Sequence, residues 1–518
     1  MSNTSASLRA LAALLLLSSS ASTLHVQPRQ NSSEPASTGL PPCDALISAG
    51  LGHRVLFAPD DQYEPRISTW MSANAQFRPW CLVQPHTASE VSAVVSALAA
   101  SGEGAGDWHV AIRSGGNGPP GSSNIANGVT IDLGMMNRSS HDPATGLTSV
   151  EPGAAWMDVY TDLQNMANVT VVGGRSGGVG VGGFLLGGGN SFYTGRFGFG
   201  CDTVMGFQVV LANGTLVEAT ADKNPDLWRA LKGGGSNFGI VTRFDLETIP
   251  AHELLAHGES IVNSSYSDEV FDALAEFTDH SQEHPEDAMF ALLTHSPGSD
   301  IVALITRANT LGNLNSTSFD RIEKIPAIAS TWERKSHATI AREGQLPAGS
   351  LNLQKTMTFL NSPSIMRISA SLHEQLVASL SARIGAENYT TAFIYQPLPA
   401  YFSQIGQRKG GNVMGLGQIQ SNAILFQSGI AIYNGDEASL AYARVELHAM
   451  MAKLEEAAVA EGVATGWVYM NYADASQNPL GGSGEENVAF MREVAGMYDP
   501  EGWWQRRVPG GFKLARVT

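Results

Sequence analysis

The sequence predicts a mixed α/β protein of two domains, and three observations carry that reading. From residue 80 onward, short apolar runs and amphipathic stretches follow the order strand, helix, strand, glycine loop, as in an α/β unit. Near residue 250 the texture changes to fewer glycines, longer helices and further strands, which suits an antiparallel sheet with helices on one face. Finally, 518 residues are too many for one ordinary core.

The elements follow in order. Arg9, the apolar run Ala10 to Leu17 and the small residues Ser18 to Ser22 read as a signal peptide over residues 1–22. That run is too short to span a bilayer, and no later segment has about 18 uninterrupted apolar residues, so no membrane partner is expected. Residues 23–42, with Pro28, Asn31, Pro35 and Pro42, form a polar linker. Trp80 to Gln84 reads as a short strand. Thr87-Ala-Ser-Glu90 reads as a capping box, and Val91, Val94, Val95 and Leu98 give the helix after it one apolar face. His109 to Ile112 is the next strand. It delivers the chain into Arg113-Ser114-Gly115-Gly116-Asn117-Gly118, with Gly121 and Ser122 just beyond. Glycines let backbone N–H groups converge on a ligand, and Arg113 adds positive charge, so this loop is suited to grip a phosphate at a strand end.

Gly128 to Leu133 and Leu147 to Glu151 read as strands, and Trp156, Val159, Tyr160 and Leu163 mark a second amphipathic helix. Ten of the seventeen residues from 173 to 189 are then glycine. A flexible linker would be polar, whereas this tract carries Val179, Val181, Phe184, Leu185 and Leu186. It is expected to lie ordered against a large flat ligand. Val204 to Leu211 and Thr215 to Ala219 are strands, with Asn213-Gly214 as a two-residue hairpin turn. Asn224 caps a short helix that carries Pro225 in its first turn and ends at Gly233. Gly239 to Glu247 alternates as a half-buried strand, so the first domain closes near Pro250. Beyond it, Ala288 to Leu293 and Ile301 to Ile305 are strands and residues 435–461 a long helix. Near the C-terminus, Tyr469-Met-Asn471-Tyr472-Ala-Asp474 clusters two phenols, an amide and a carboxylate.

Composition narrows the function classes. A formal net charge of −17 argues against a nucleic-acid partner, which would need clustered Lys and Arg. Seven Asn-x-Ser/Thr sequons follow the signal segment, at Asn31, Asn137, Asn168, Asn213, Asn263, Asn315 and Asn388, and point to a secreted, N-glycosylated protein. Three cysteines suggest one disulfide, assigned to Cys43 and Cys81, with Cys201 as a small buried residue. The histidines lack ligand-like spacing, so no metal site is expected.

The order of motifs resembles one family. Cys81-Leu-Val-Gln-Pro85, Arg113-Ser-Gly-Gly, Val179-Gly-Val-Gly-Gly, Asp226-Leu-Trp-Arg-Ala-Leu-Lys-Gly-Gly-Gly235 and the terminal Tyr-x-Asn-Tyr-Ala-Asp are similar to the secreted fungal berberine-bridge-enzyme-like oxidoreductases, with a PCMH-type FAD-binding domain. The resemblance implies a bilobal FAD domain from residues 43–250 and 465–518, with a substrate domain at 251–464. It places Arg113, Ser114, Gly115, Gly116, Asn117, Gly118, Gly121 and Ser122 along the FAD pyrophosphate and ring. Gly174, Val179, Gly182 and Gly183 would continue that wall, with Gly239, Ile240 and Val241 by the adenine half and Asn471 near the ring. It gives Tyr472 the role of base, with Tyr469 and Asp474 nearby, a small-molecule substrate as hydride donor, and O₂ as reoxidant.

Two departures matter. Many members carry a flavin-linked His where this chain has Asn117, and others a linked Cys that aligns with Ser176. Neither Asn nor Ser makes that bond, so FAD is expected to bind without covalent attachment. Two other functions fit the same scaffold: a non-redox cyclase or pericyclase, and a ligand-binding glycoprotein.

Overall fold

The computed structural model describes residues 37–101, 107–251 and 254–517. The expected signal peptide, most of the linker and the Asn31 sequon lie outside the described residues.

Three larger sheets organise the described residues, beside a two-stranded pair of β7 (Val169–Thr170) and β11 (Ile249–Pro250). The first has the order β1 (Val55–Leu56), β2 (Cys81–Val83), β4 (Gly128–Asp132), β3 (His109–Arg113), with β2 and β3 both parallel to β4. Parallel strands need a crossover, and the helix Ala88–Ala100 provides it, burying Val91, Val94, Val95 and Leu98. Its start differs in one detail from the expected box. The Thr87 hydroxyl accepts from Glu90 N at 3.2 Å, but the Glu90 carboxylate reaches back to His86 N rather than Thr87 N, because Arg54 draws it outward. Cys43 and Cys81 are joined, and Cys201 is free and buried.

The second sheet is antiparallel, in the order β5 (Ser139–Asp142), β6 (Leu147–Val150), β10 (Ile240–Glu247), β8 (Val204–Val210), β9 (Leu216–Thr220). Strand β5 escapes the hydropathy pattern because Ser139–Asp142 is polar and lies at a sheet edge. The β8–β9 turn has three loop residues, not two. Gly214 N donates to Leu211 O, Leu211 N donates to Thr215 O, and Gly214 takes φ +79°. That is a turn followed by one left-handed residue, so Asn213 itself needs no positive φ. Asn224 stands before the helix Pro225–Leu231 at φ +50°, yet its side chain makes no cap; it donates to Glu218 O instead.

The third sheet is antiparallel throughout. Its order is β15 (Ala327–Ser330), β12 (Leu255–Asn263), β14 (Val302–Asn309), β13 (Asp287–His295), β18 (Tyr389–Leu398), β19 (Ala423–Ile432), β17 (Leu351–Leu360), with β16 (Glu333–Lys335) also on β12. The helices Ser267–His280, Pro363–Ile384 and Glu437–Ala460 cover one face, where Phe271, Leu376, Phe393, Phe426 and Met451 share a core.

The C-terminal residues return to the first two sheets. Trp503 and Trp504 enter the core around β3 and β4, while Met491, Val494 and Leu514 enter the core around β8 and β10. Trp504 is fully buried. Truncating a tryptophan so placed costs about 3–5 kcal/mol, which ties the chain end firmly to the first lobe.

Candidate active site

Strand β3 ends at Arg113, and the chain turns at once into the first glycine loop. Gly116 takes φ +75°, a conformation that would strain any side chain, and its carbonyl accepts from Met71 N. A Cβ on Gly115 would stand 2.5 Å from Gly180 N, so the two glycine tracts touch backbone to backbone there. The Asn117 amide strengthens the junction by donating to Gly178 O at 2.9 Å. Ser114 Oγ adds a second link, donating to Pro152 O at 2.6 Å and accepting from Gly182 N at 3.1 Å.

Arg113 supports this loop from below. Its guanidinium lies 3.6 Å from the Trp70 ring centroid, and Nη2 donates to Thr69 Oγ1 at 2.7 Å. Burial, with Arg66 close by, lowers its pKa to about 10 even though Asp132 opposes the shift. Its Nε and Nη1 are buried and make no hydrogen bond. Asp132 is the counter-charge at the end of β4. Burial works against its charge, but Arg66 and Arg113 outweigh burial and hold the carboxyl at about 2.

The second tract curls over the helix Trp156–Ala167. Gly174 O accepts from Tyr160 Oη at 2.9 Å, and Val179 O accepts from Trp156 N at 3.1 Å. Farther on, Gly189 N and Asn190 N both donate to Tyr469 Oη, at 2.9 and 2.7 Å. Tyr469 is thus a buried anchor for the tract, and burial pushes its phenol far above the usual range. Asn471 seats its amide against Gly187 and donates to Phe184 O at 2.9 Å.

These contacts form a closed circuit. The first loop touches the second tract, which reaches Asn471 at Gly187; Met470 packs on Gly235; Ser236 meets Gly511; and Gly510 packs on Gly121 and Ser122, back in the first loop. Lys513 locks the last junction by donating to Ser236 O at 2.6 Å. Two positions in the circuit, Gly121 and Gly183, are exposed, and a Cβ on either would meet no atom within 4 Å. Gly239, Ile240 and Val241 are buried against β8, with Ile240 opposite Val210 and Val241 opposite Val209.

Beside the circuit sits a polar cluster that draws on three distant parts of the chain. Tyr472 Oη accepts from Arg175 Nη2 at 2.8 Å and donates to Gln396 Oε1 at 3.3 Å. The same Gln396 oxygen accepts from Arg175 and from Asn190 Nδ2. Arg175, Gln396 and Asn190 were not singled out from sequence. The one available signal was Arg175, the single charge in its glycine tract. Asp474 does not join the cluster; its carboxylate accepts from Ser476 N at 2.9 Å and lies 3.8 Å from His448. Among the described residues, His284, Glu286 and Asp287 bring possible ligand atoms within 4.8 Å, but Asp287 is already held by Asn309, Ser316 and Ser318.

Residues 79–220, which contain both glycine tracts, match the FAD binding domain family. A relative named FAD-dependent monooxygenase sdcF, from Emericella nidulans, is 33% identical over 478 residues, covering 92% of this chain and 98% of the relative. The chain belongs to the family of FAD-linked oxidoreductases that includes this relative, and its fold is that of the berberine-bridge-enzyme-like proteins. FAD-dependent monooxygenase drtC, from Aspergillus calidoustus, is also 33% identical, covering 92% of this chain and 90% of its own. Two solved structures share the fold of this FAD-linked oxidoreductase. Xylooligosaccharide oxidase from Myceliophthora thermophila has a TM-score of 0.72 at 20% identity, covering 91% of this chain and 99% of its own. Berberine bridge enzyme from Eschscholzia californica has a TM-score of 0.70 at 15% identity, covering 90% and 99%.

The residues of this oxidoreductase fit a flavin dinucleotide. Close backbone packing of Gly115 on Gly180, open space over Gly121 and Gly183, and two buried Arg113 nitrogens without a hydrogen bond suit a long, flat, phosphate-bearing group.

Proposed function

We propose that this FAD-dependent oxidoreductase is a secreted oxidase. Its substrate is a small organic molecule, such as a fungal metabolite, an alcohol or a sugar, and O₂ is the final oxidant. The observation that carries this reading is the Arg175 guanidinium donating to Tyr472 Oη at 2.8 Å beside the glycine circuit. FAD supplies the acceptor for the hydride that leaves a substrate C–H bond. Arg113 to Gly118 with Gly121 and Ser122 would hold its pyrophosphate and ring, the second tract would continue that wall, Gly239 to Val241 would serve the adenine half, and Asn471 would serve the ring. Tyr472 takes the substrate hydroxyl proton as the C–H bond breaks. It does so from its deprotonated form, with the Arg175 hydrogen bond held on the same oxygen. Residues 43–250 with 465–518 serve as the FAD domain, and 251–464 as the substrate domain. The shared cores around Trp504 and Leu514 support that division.

Replacing Tyr472 with Phe is expected to slow flavin reduction about a hundredfold or more in stopped-flow measurements under anaerobic conditions. An unchanged rate would remove Tyr472 from the mechanism.

Secretion is supported by the Cys43–Cys81 disulfide and by exposed sequons at Asn137, Asn168, Asn213, Asn263 and Asn315. Asn388 is the exception, since its amide nitrogen donates to Ile384 O. Among the described residues no helix is long and apolar enough to cross a membrane.

A second reading has one specific support: several relatives are named monooxygenases. Peroxide released in proportion to substrate consumed favours the oxidase; an ¹⁸O atom from O₂ in the product favours the monooxygenase.

A further inference from the structure

The face of the third sheet that looks toward the glycine tracts is made of the residues its helix-covered core leaves over. On β13, Met289, Ala291 and Leu293 belong to that core, so Phe290 and Leu292 face the other way. On β18, Phe393 and Tyr395 leave Ile394 and Gln396 on the tract side, and on β19, Ile424 and Phe426 leave Leu425 and Gln427. Register then lines them up. Leu304, Leu292, Ile394 and Gln427 stand opposite one another across four neighbouring strands. Arg175 reaches the neighbouring row, where its guanidinium lies 4.7 Å from the Phe290 ring centroid and donates to Gln396.

Around Arg175 and Gln396 this floor is apolar and carries side-chain amides; the carboxylate of Glu259 shares the face in the Phe290 row, two strands away beyond Thr306. It also has unused donors. Arg175 Nη2 serves both Gln396 and Tyr472, while the N–H groups on its Nε and Nη1 make no hydrogen bond among the described residues. Gln396 is 2% exposed, and its Nε2 makes no hydrogen bond. That amide cannot simply be turned over, because its oxygen already accepts from Arg175, Asn190 and Tyr472. Surplus donors on an apolar floor call for a ligand that brings acceptors. A sugar brings a hydroxyl donor with every acceptor, whereas the groups beside Arg175 and Gln396 already have donors to spare.

We propose that the substrate is an apolar molecule bearing an anionic oxygen, as in a phenolate, enolate or carboxylate, and that Arg175 and Gln396 bind that oxygen. The inference rests on the reading of the Tyr472 cluster as the reaction site and narrows its substrate.

Calorimetric titration of the flavin-loaded protein at pH 8 tests it, with 4-nitrophenol, nitrobenzene and cellobiose as probes. The expected result is 4-nitrophenol bound roughly tenfold or more tighter than nitrobenzene, and cellobiose not bound, since a hydrogen bond to a charged group is worth about that much. Arg175→Met is expected to erase the preference while nitrobenzene affinity holds within about twofold. Gln396→Glu, which sets a carboxylate beside the anion, is expected to erase it too. Tighter binding of cellobiose than of 4-nitrophenol overturns the inference, as does a preference unchanged in both variants. Binding is read without turnover, so the two readings fail separately. Flavin reduced by cellobiose with no 4-nitrophenol bound overturns this inference and leaves the oxidase standing. The expected binding pattern with a flavin that no substrate reduces supports this inference and sinks the oxidase.

Discussion

Asn117 follows the Arg113-Ser-Gly-Gly run at the centre of the first loop, and it has a task of its own. Its amide nitrogen closes the joint between the two glycine tracts at Gly178 O. An amide so engaged offers no nucleophile for a bond to the flavin. Acid precipitation is therefore expected to leave the yellow flavin in the supernatant, read as absorbance near 450 nm; a yellow pellet would overturn the assignment. Asn117 is readable in the sequence because it sits inside one contiguous glycine run. Arg175 was much harder to read. Its partner Tyr472 is 297 residues away and Gln396 is 221 away, and no local pattern encodes either meeting. Tyr469 illustrates a different limit. A phenol two residues before another phenol looks catalytic, yet burial and two backbone N–H donors make it an anchor.

At the scale of the element, strand β4 and its terminal Asp132 organise the first loop. The carboxylate accepts from Arg66 Nη2 at 2.7 Å and Gln84 Nε2 at 2.9 Å, and lies 3.9 Å from Arg113. Its folded value of about 2 stands below the ordinary 3.8, so its stabilisation is present above about pH 4 and is lost as pH falls through about 2. The size is roughly 2–3 kcal/mol. Asp132→Asn is expected to lower Tm by several degrees at pH 7, with the gap to the wild type closing between pH 4 and 2 in a calorimetric scan. A gap that persists in acid would mean that the charge is not what the strand end uses. Elements such as Ala88–Ala100 and Glu437–Ala460 were legible because apolar periodicity and caps are local. Strand β5 was not, because an exposed polar edge has no hydropathy signal. The β8–β9 loop fell between the two: Asn213-Gly214 correctly marked a turn, but its length depends on the Leu211–Thr215 pairing.

For the whole molecule, buried histidines set the response to acid. Burial lowers His257 to about 4 and His337 and His373 to about 3. An unfolded chain takes up those protons near pH 6.5, while the folded protein refuses them until near 3 or 4. Stability present above pH 6.5 is thus lost as pH falls, by roughly 1.4 kcal/mol per histidine per pH unit. Three such groups remove about 4 kcal/mol per unit between about pH 6 and 4, a large share of a typical 5–15 kcal/mol. The expected outcome is a steep drop in Tm from pH 7 to 5, made shallower by His373→Gln; an equal slope in that variant would contradict the account.

The contact circuit around the glycine loops also has a meaning in time. Its first member lies near residue 115 and its closing members, Gly510 and Gly511, almost four hundred residues later. During synthesis the loops emerge long before the segment that joins Ser236 to Gly121. A growing chain that has not yet reached residue 511 has both glycine walls but no closed frame between them. The frame between the two glycine walls is therefore closed by a segment made almost four hundred residues after the first loop, and its assembly waits on that segment.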